Sequence, residues 1–589
     1  DEGKLNGMTL PTNYEAVVEA RLAVMDETER DLIQRAAVVG EVFWLDALVS
    51  LVRVSALETN DPDGPTLAEI AAAGDHTRVS VAQALTKLVE REWIVEVAES
   101  SVPGEREYRF AYGHLWDHVY DAIKESDRRG YHTMVARWLE LRPEGRGPLA
   151  QEDVAEHLEQ AGETVAAAAR YRRAAQAARG KFLNDKAIRL YARALTCLAE
   201  HDLAARIHLW HDLGSVYELK GDFEAALGAF ERMLRLAWVA ASRSKAAVAF
   251  NKMGRVWRRK GDLKLALEYL QRGAELFEQA GDARGIAGSH DDIGQVMYLT
   301  GNYDAAFEHV TKGLARRGKG GDKRSIAQSL SNLGNIQKDR GLFAEAENCH
   351  QEALELRRQI GDRAGMITSY NNLAVLAFER GDFAAARRGW HEALTEAEDI
   401  GALPLQALAL SNLGELALME GHQDEARRRL DEALEIADEI DDARLLVEAT
   451  RNLAQLEKDC GHSERARELA AHAHDVAAGA GLRDNEGRAL LTLASVWSAN
   501  LFDADETVQD ALDQASVPKA EEFFRRGIEL MREIGNESEL ARGIEQYGRY
   551  KIERGEIGAG KDLLREALAI FSRLGMPRSA DVEKVLQAV

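Results

Sequence analysis

A glycine returns every 40 residues through the middle and later part of this chain of 589 residues. Repetition at one fixed spacing is the signature of stacked structural units, each of which buries its apolar face only against its neighbours. We therefore expect a solenoid. The glycines are Gly221, Gly261, Gly301, Gly341, Gly381, Gly421 and Gly461.

Other small residues keep the same register. An alanine stands five residues after each glycine, and an apolar residue followed by a tiny one, such as Leu213-Gly214, stands eight residues before it. We expect two helices to touch closely at these small residues. The apolar spacing is helical, and the glycine divides each unit into two amphipathic helices, so the chain is predicted to be helical from about residue 150. A second series of breakers closes the second helix of each unit: Gly281, Gly321, Gly361, Gly401, Asp441 and Gly481.

The units resemble the tetratricopeptide repeat. They have its Leu-Gly pair in the first helix, an aromatic residue after the turn (Phe223, Tyr303), the alanine, and then a large residue (Phe230, Trp390). The usual period of that family is about 34 residues, and a period of 40 is similar to the long-helix subclass of kinesin light chain. The resemblance covers roughly residues 150–575 and implies an all-α fold, a right-handed tetratricopeptide-type α-solenoid.

The register breaks once, since Leu501 stands where a glycine is due, and Gly535 and Gly555 fit only after 14 residues are added. An insertion therefore lies near 501–518. This segment carries five acidic residues and no basic one, which favours a solvated loop at a helix junction. The alternative is an acidic segment that covers a basic groove until a partner displaces it.

The first 150 residues contain six of the nine prolines, which indicates a separate domain. Residues 65–98 have the pattern of two helices and a short strand, and a second strand is predicted at Glu107–Phe110. This order indicates a small winged-helix domain before the solenoid. We divide the chain into a winged-helix-like domain (1–125), a helical linker with the first atypical repeats (126–200), the repeats (201–575) and a C-terminal capping helix (576–589).

A second resemblance covers about residues 10–200. The blocks LPTNYEAVVEARLAVMDETERDLIQRAAVVGEVFWLDALV, YRFAYGHLWDHVY and RRGYHTMVARWLE resemble the segment between the ATPase core and the repeat array of bacterial signal-transduction ATPases with numerous domains. The resemblance implies a winged helix and a sensor arm that follow an ATPase module. Tyr112 stands where that family usually has a histidine, which puts phosphate sensing at this position in doubt.

The chain has no GxxxxGK[ST] sequence, so it is not expected to bind ATP through a phosphate loop. Because it begins at Asp1, we expect a fragment whose ATPase lies upstream. The alternative is a protein whose ATPase degenerated or never existed.

Composition indicates a cytoplasmic regulator without a cofactor. A net charge of −24 disfavours nonspecific binding to nucleic acid or an anionic membrane. No apolar stretch of about 18 residues and no signal-peptide pattern occurs. The three cysteines, Cys197, Cys349 and Cys460, are odd in number and far apart, which favours reduced thiols.

Three basic residues are candidates for DNA contact by the winged helix. Arg78, Lys87 and Arg91 lie on or beside the candidate recognition helix, Val79 to Arg91. That helix is largely apolar, and DNA binding usually needs several phosphate contacts. A structural or coupling role is favoured, and DNA binding is the alternative.

The first helices of a tetratricopeptide solenoid line its concave surface, and four consecutive repeats place an asparagine there: Asn332, Asn372, Asn412 and Asn452. An asparagine offers a donor and an acceptor, so this series is predicted to hydrogen-bond the backbone of an extended peptide. The alternative is that the asparagines bridge adjacent repeats.

The same surface has a basic end. Lys252, Arg255 and Arg259 lie on one helix face with Arg258 beside them. Unpaired, they would favour a carboxylate-rich or phosphorylated ligand. The alternative is that they pair with Asp212, Asp291 or Asp292 of the neighbouring helices.

Enzymatic signatures are missing, since neither HExxH nor GxSxG is present. His114 and His118 are one helical turn apart, but packing is favoured over metal binding, so we expect no catalytic and no metal site. The sequence thus predicts a non-enzymatic interaction and sensor arm that binds a protein or peptide, acidic in character, and changes curvature on binding. The alternatives are a transcription regulator that binds DNA and a static scaffold, and the oligomeric state stays open.

Overall fold

The computed structural model describes residues 14–57, 75–101, 104–141, 151–318, 321–498 and 506–589. It divides into two compact units, Asp1–Asp202 and Leu203–Val589, which are described separately. Among these described residues, no helix has both the length and the hydropathy that a membrane span requires.

The first unit contains nine helices and three short strands within the described residues. In chain order they are α1 (Tyr14–Ala23), α2 (Glu27–Val39), β1 (Val42–Trp44), α3 (Leu45–Leu57), α4 (Asp75–Glu90), β2 (Ile94–Glu96), β3 (Glu107–Phe110), α5 (Gly113–Asp121), α6 (Glu125–Leu141), α7 (Gln151–Ala161), α8 (Thr164–Gly180) and α9 (Asn184–Cys197).

The strands form one antiparallel sheet in the order β1-β3-β2, with Phe43 opposite Tyr108 and Ile94 opposite Phe110. Tyr108 and Phe110 alternate with exposed Arg109, so one face of β3 is buried against the helices. The apolar core therefore lies between the sheet and helices α1 to α6.

Both strands that the sequence predicts are present, and β3 has the predicted bounds Glu107–Phe110. Sequence reasoning missed β1, because three residues between two helices are too few to show an alternating pattern. Part of the helix predicted after Pro65 lies outside the described residues. The identification of this unit as a winged helix stays a prediction.

Within its described residues, the second unit has nine helical pairs, called repeats 1 to 9, and a final helix. The pairs are α10 (Leu203–Lys220) with α11 (Phe223–Val239), α12 (Arg243–Lys260) with α13 (Leu263–Ala280), α14 (Ala283–Leu299) with α15 (Tyr303–Arg317), α16 (Lys323–Asp339) with α17 (Phe343–Gln359), α18 (Arg363–Glu379) with α19 (Phe383–Asp399), α20 (Leu403–Met419) with α21 (Gln423–Glu439), α22 (Ala443–Asp459) with α23 (Ser463–Gly479), α24 (Arg483–Ser498) with α25 (Glu506–Ile534) and α26 (Glu537–Glu553) with α27 (Ile557–Arg573); α28 (Arg578–Ala588) follows.

Both glycine series stand at helix ends, as predicted. Gly261 has φ of 84° and Gly281 has φ of 65°, which is the left-handed conformation that lets the chain leave a helix. An aspartate often follows as N-cap: the Asp262 and Asp282 carboxylates each accept a hydrogen bond from the first turn of the next helix. Asp441 adopts the same left-handed conformation with φ of 53°.

The small residues mark the helix crossing inside each repeat. A side chain at Gly254 would place its Cβ 2.7 Å from Leu270, and one at Gly414 would lie equally close to Leu430. The alanine that follows each turn glycine is completely buried in all seven units. The predicted close contact is therefore confirmed, and so is the all-α solenoid of paired helices.

The acidic insertion differs from the prediction of a loop. Residues 506–518 are helical and lengthen α25 to 29 residues, with Pro518 inside the helix. The loop prediction is wrong here because it rested on charge alone, whereas no glycine interrupts the chain between Leu501 and Arg526. Residues 501–505 lie outside the described residues.

The turns of early repeats pack against loops of late repeats. A Cβ on Gly261 would lie 3.0 Å from the Arg483 side chain, and one on Gly301 would lie 3.0 Å from Leu574. At Gly341 the Pro577 ring would be 2.7 Å from an added Cβ. Ala443 and Leu482 likewise pack with the apolar cluster of repeats 1 and 2.

We call these contacts the seam. Each early turn glycine lies against a residue just after a late breaker glycine: Gly261 against Arg483, Gly301 against Glu537 and Gly341 against Pro577. The separation is 222 residues for the first pair and 236 for the other two, so the difference is the 14-residue insertion. One superhelical turn therefore takes about five and a half 40-residue units.

The seam predicts different effects for two alanine substitutions at similar backbone angles. Gly341 has φ of 75° and meets Pro577, whereas Gly381 has φ of 78° and a Cβ added there would have no atom within 4 Å. Gly381→Ala should cost about 1–2 kcal/mol of stability from the left-handed backbone alone. Gly341→Ala should cost roughly 1–3 kcal/mol more, because the methyl group must displace the proline.

Thermal and urea unfolding of the two variants and the parent chain measure this difference. Equal losses of stability in the two variants would contradict the seam.

Candidate binding groove

The first helices of the repeats form a continuous surface, which we call the groove. A cavity of about 900 Å³ lies on it at repeats 1 to 4 and is lined almost entirely by polar side chains. The lining residues are Glu218, Arg255, Arg258, Ala283, Arg284, Gly288, Asp291, Asp292, Gln295, Arg316, Arg317, Gly321, Asp322, Ser325, Gln328 and Asn332.

Side chains bridge neighbouring first helices at regular offsets. Lys252 Nζ donates to Ser215 Oγ and Arg258 Nη1 to Gln295 Oε1, each 37 residues apart. Asn412 and Asn371 bridge at 41 residues. An offset of 37 residues is about one helical turn shorter than the 40-residue repeat, and an offset of 41 is one residue longer. The bridging side chains therefore lie on one stripe of each first helix.

The four predicted basic residues have different partners. Arg255 pairs with the Asp292 carboxylate at 2.9 Å, as the alternative interpretation held. Arg258 donates to the Gln295 amide oxygen at 2.6 Å. Arg259 donates to the backbone oxygen of Glu218 at 2.7 Å, and Lys252 and Arg259 each lie 4.0 Å from the Glu218 carboxylate.

Three of the four asparagines bridge adjacent repeats. Asn332 Oδ1 accepts hydrogen bonds from Gln295 at 2.8 Å and Gln328 at 3.2 Å. Asn412 donates to Asn371 at 2.7 Å, and Asn452 donates to Ser411 at 3.2 Å.

Asn372 is half-buried, and no hydrogen bond joins its side chain to another described residue. The series thus lies on the predicted helices, but much of its hydrogen-bonding capacity is used between repeats.

A chain of amides crosses the floor of the cavity with an arginine at each end. Arg258 donates to Gln295, Gln295 donates to Asn332, and Asn332 also accepts from Gln328. Gln328 Oε1 in turn accepts from Arg357 at 3.4 Å. The cavity floor is therefore a connected polar network that extends over three repeats.

Arg357 is a buried cation that is 3% exposed. Its Nη1 donates to Ser369 Oγ at 2.6 Å, and Gly365 leaves room for its side chain, since a Cβ there would lie 2.9 Å from the arginine Cδ. No carboxylate of the described residues lies within 4 Å of its guanidinium nitrogens. Burial lowers the pKa of Arg357 and of Arg258.

The equivalent arginine one repeat earlier is neutralised. Arg317 donates to Asp291 at 2.6 Å and to Ser329 at 2.9 Å. Burial raises the pKa of Asp291 to about 6, although Arg317 opposes this shift.

Sequence reasoning missed Gln295, Gln328, Arg317 and Arg357. The signal was available: Arg317 and Ser329, and Arg357 and Ser369, stand where other repeats have alanine pairs, such as Ala397 and Ala409.

The rim of the cavity carries two further arginines. Arg284 lies in the first turn of α14 and Arg316 in the last turn of α15, and both are exposed. Within the part of the chain that the structure describes, neither has a carboxylate within 4 Å. The cavity is therefore locally basic although the whole chain has a net charge of −24.

A second polar cavity of about 410 Å³ lies on the groove at repeats 6 to 9. Here Glu539 lies 3.4 Å from Arg488 and 3.3 Å from Arg542, and it raises the pKa of Arg488. Burial also raises the pKa of Glu415. Cations and carboxylates are balanced in this cavity, so it lacks the positive excess of the first.

The three candidate DNA-binding residues of the first unit are paired with carboxylates. Arg91 and Lys87 lie 2.6 Å and 3.7 Å from the Glu29 carboxylate, which is buried, and Arg78 pairs with Asp46. These side chains therefore hold α4 to α2 and α3. In the described ranges, no three histidine, cysteine or acidic side chains come together as metal ligands.

These contacts predict a structural role for Lys87 and Arg91. The double variant Lys87→Gln/Arg91→Gln leaves the buried Glu29 carboxylate without a cation, so we expect a loss of roughly 1–3 kcal/mol in stability. Thermal unfolding measures this loss, and fluorescence anisotropy with a labelled DNA duplex measures binding. Arg109→Gln, an exposed change on β3, is the control. Loss of DNA binding at an unchanged unfolding temperature would contradict the structural role.

Comparisons with known proteins agree with the repeat architecture. The tetratricopeptide repeat model matches residues 209–237, 245–319, 325–388 and 366–439. The tetratricopeptide prediction is thereby confirmed. Such repeats are generally non-catalytic scaffolds with extended concave binding surfaces. No curated protein sequence matches the chain.

Among solved structures, a signal transduction ATPase with numerous domains from Pyrococcus horikoshii, which has a tetratricopeptide repeat sensor, is 16% identical with a TM-score of 0.43. The match covers 79% of this chain and 65% of that protein, so this chain spans about two thirds of its length. A Rap protein complexed with competence and sporulation factor is 16% identical over 62% of this chain and 98% of that one (TM-score 0.44). Yeast Tom70 is 16% identical over 74% and 94% (TM-score 0.38).

Proposed function

Because this chain is a tetratricopeptide-repeat solenoid, we propose that it binds an extended, acidic segment of another protein in its groove. The observation that carries the proposal is the cavity on repeats 1 to 4, which joins a hydrogen-bonding floor to a positive excess. A binding surface of this kind needs no catalytic residues, and the protein acts as a non-enzymatic interaction arm.

The amides of the floor suit a peptide backbone. Gln295, Gln328 and Asn332 line the cavity, and each side chain has a donor and an acceptor, of which the internal network uses only part. A peptide in extended conformation presents backbone N–H and C=O groups that such amides can pair without reading a particular side chain. Asn372 extends the same surface into repeat 5.

Charge supplies the preference for an acidic ligand. Lys252, Arg255, Arg258 and Arg259 form the basic end that the sequence singles out, and Arg258 has no carboxylate within 4 Å among the described residues. Arginine binds carboxylates through two parallel hydrogen bonds, which adds specificity to the attraction. Nucleic acid is a poor ligand for this chain, since the positive excess is confined to one cavity in a strongly acidic protein.

We further propose that the arm acts as a sensor within a signalling regulator. A ligand in the cavity touches repeats 1 to 4, and the turns of repeats 2 to 4 form one side of the seam. A small change of angle between these repeats adds up along the superhelix, so it reaches the late repeats through the seam. In a static scaffold, by contrast, the scattering profile is the same with and without ligand.

Selection from random peptides tests the proposal. Three soluble libraries of random 12-residue peptides, with acidic, neutral and basic average composition, are passed over the immobilised chain. We expect the acidic library to be retained most. Gln295→Ala/Asn332→Ala should reduce retention at least about tenfold, because it removes the amides of the floor.

Glu352→Ala is the matched control, since Glu352 is exposed on the second helix of repeat 4, away from the groove. Equal retention of the acidic library by the parent chain, the double variant and the control, or retention by none of them, would overturn the proposal. Circular dichroism verifies that both variants fold.

A further inference from the structure

The cavity on repeats 1 to 4 contains more guanidinium groups than its own carboxylates neutralise. We propose that it is a site for a phosphoryl dianion, held by Arg258, Arg284 and Arg316 with Arg357 behind the floor. The phosphoryl group is carried by a phosphorylated side chain or is inorganic phosphate. This inference rests on the proposed function in the first case and is independent of it in the second.

The carboxylates of the cavity already interact with other groups of the chain. Asp292 accepts from Arg255, with Nε 2.9 Å from Oδ1 and Nη2 2.9 Å from Oδ2. Asp291 accepts from Arg317, and Asp322 caps α16 by accepting from the Ser325 backbone N–H. Glu218 lies 4.0 Å from both Lys252 and Arg259.

Two arginines of the site are held in place by neutral groups, and neither has a carboxylate within 4 Å among the described residues. Arg258 donates to the Gln295 amide, and Arg357 donates to the Ser369 hydroxyl and the Gln328 amide. Burial of a guanidinium is unfavourable and lowers the pKa of both residues, although more distant carboxylates oppose the shift, Asp292 and Glu218 at Arg258 and Asp362 at Arg357. An anion in the cavity would relieve this cost, because it brings negative charge to cations that water solvates poorly.

The rim places two exposed cations on the same cavity. Arg284 and Arg316 come from the beginning of α14 and the end of α15, so they approach the cavity from two elements. Within the described residues neither has a carboxylate within 4 Å. They can therefore move onto a ligand without first breaking an ion pair.

The number of guanidinium groups favours a phosphoryl group over a carboxylate. A carboxylate has one charge and two oxygens, which one arginine fork satisfies. A phosphoryl group has nearly two charges at neutral pH and three acceptor oxygens, so it can serve Arg258, Arg284 and Arg316 together. Three lining arginines without a carboxylate partner among the described residues fit the second ligand.

Isothermal titration with defined probes tests the site. The probes are inorganic phosphate and three seven-residue glycine peptides that carry phosphoserine, serine or glutamate at the centre. We expect the phosphoserine peptide or phosphate to bind, and the serine and glutamate peptides to bind at least about tenfold more weakly. If phosphate alone equals the phosphopeptide, the ligand is the free anion, and if the phosphopeptide binds more tightly, it is a phosphorylated segment.

The variants locate the binding. Arg284→Gln/Arg316→Gln should abolish phosphoryl binding, and Arg284→Lys/Arg316→Lys should restore only part of it, since lysine lacks the planar fork. Arg272→Gln is the control, because Arg272 is an exposed arginine of α13 whose nearest acid, Glu275, is 3.9 Å away. All of these are surface changes, and thermal unfolding verifies the fold.

The outcomes separate this inference from the proposed function. No binding of phosphate or phosphopeptide, or equal binding in the glutamine variant, overturns the phosphoryl site. If acidic library peptides are retained but the phosphoserine peptide binds no more tightly than the serine and glutamate peptides, the phosphoryl site is overturned and the proposed function stands. Phosphate bound at the arginines with no peptide retained supports the site and refutes peptide binding.

Discussion

The close crossing of the two helices in each repeat is the constraint on which the second unit depends. At Gly254, Gly294 and Gly414 the facing side chain would be 2.6–2.7 Å from an added Cβ. A glycine inside a helix costs about 1 kcal/mol relative to alanine, and the close packing of the partner helix offsets that cost. The apolar residues of each first helix pack at these crossings. Polar residues therefore occupy the stripe of the helix that faces the groove.

Those polar residues then take over contacts between repeats. At four of the eight junctions between repeats, the second helix and the next first helix each place a buried alanine at this position, as with Ala237 and Ala249. Arg317 with Ser329 and Arg357 with Ser369 replace such pairs between repeats 3, 4 and 5. A buried arginine needs hydrogen-bond acceptors, and the groove supplies them. Arg317 donates to the Asp291 carboxylate, whereas in the groove Arg357 donates only to the amide oxygen of Gln328. The buried arginine behind the floor of the cavity, Arg357, therefore originates in the packing between repeats.

The sequence predicts most of the architecture, because a 40-residue period with small residues at fixed positions leaves little freedom in how helices pair. Asn332 lines the first polar cavity and Asn412 and Asn452 line the second, while their role in binding stays a prediction. The sequence does not predict their partners, since a bond such as that from Gln295 to Asn332 depends on which residue stands 37 positions earlier. Arg255 shows the same limit: its pairing with Asp292 is one of the two interpretations left open by spacing alone. The loop predicted for 506–518 fails for a different reason, because charge indicates exposure but a helix can also be exposed.

The seam could not be predicted either, since it joins residues more than 220 positions apart and depends on the accumulated rotation of more than five units. Its geometry nevertheless explains how the chain accepts the insertion. The extra 14 residues lie between Trp497 and Val517, near and within the lengthened α25, while Glu537 and Pro577 still contact the turns at Gly301 and Gly341. The contacts across the seam therefore keep the same positions within their repeats before and after the insertion. Because repeats 2 to 4 supply both the seam turns and the basic cavity, anything that reorients these repeats around a ligand must also alter the closure of the superhelix.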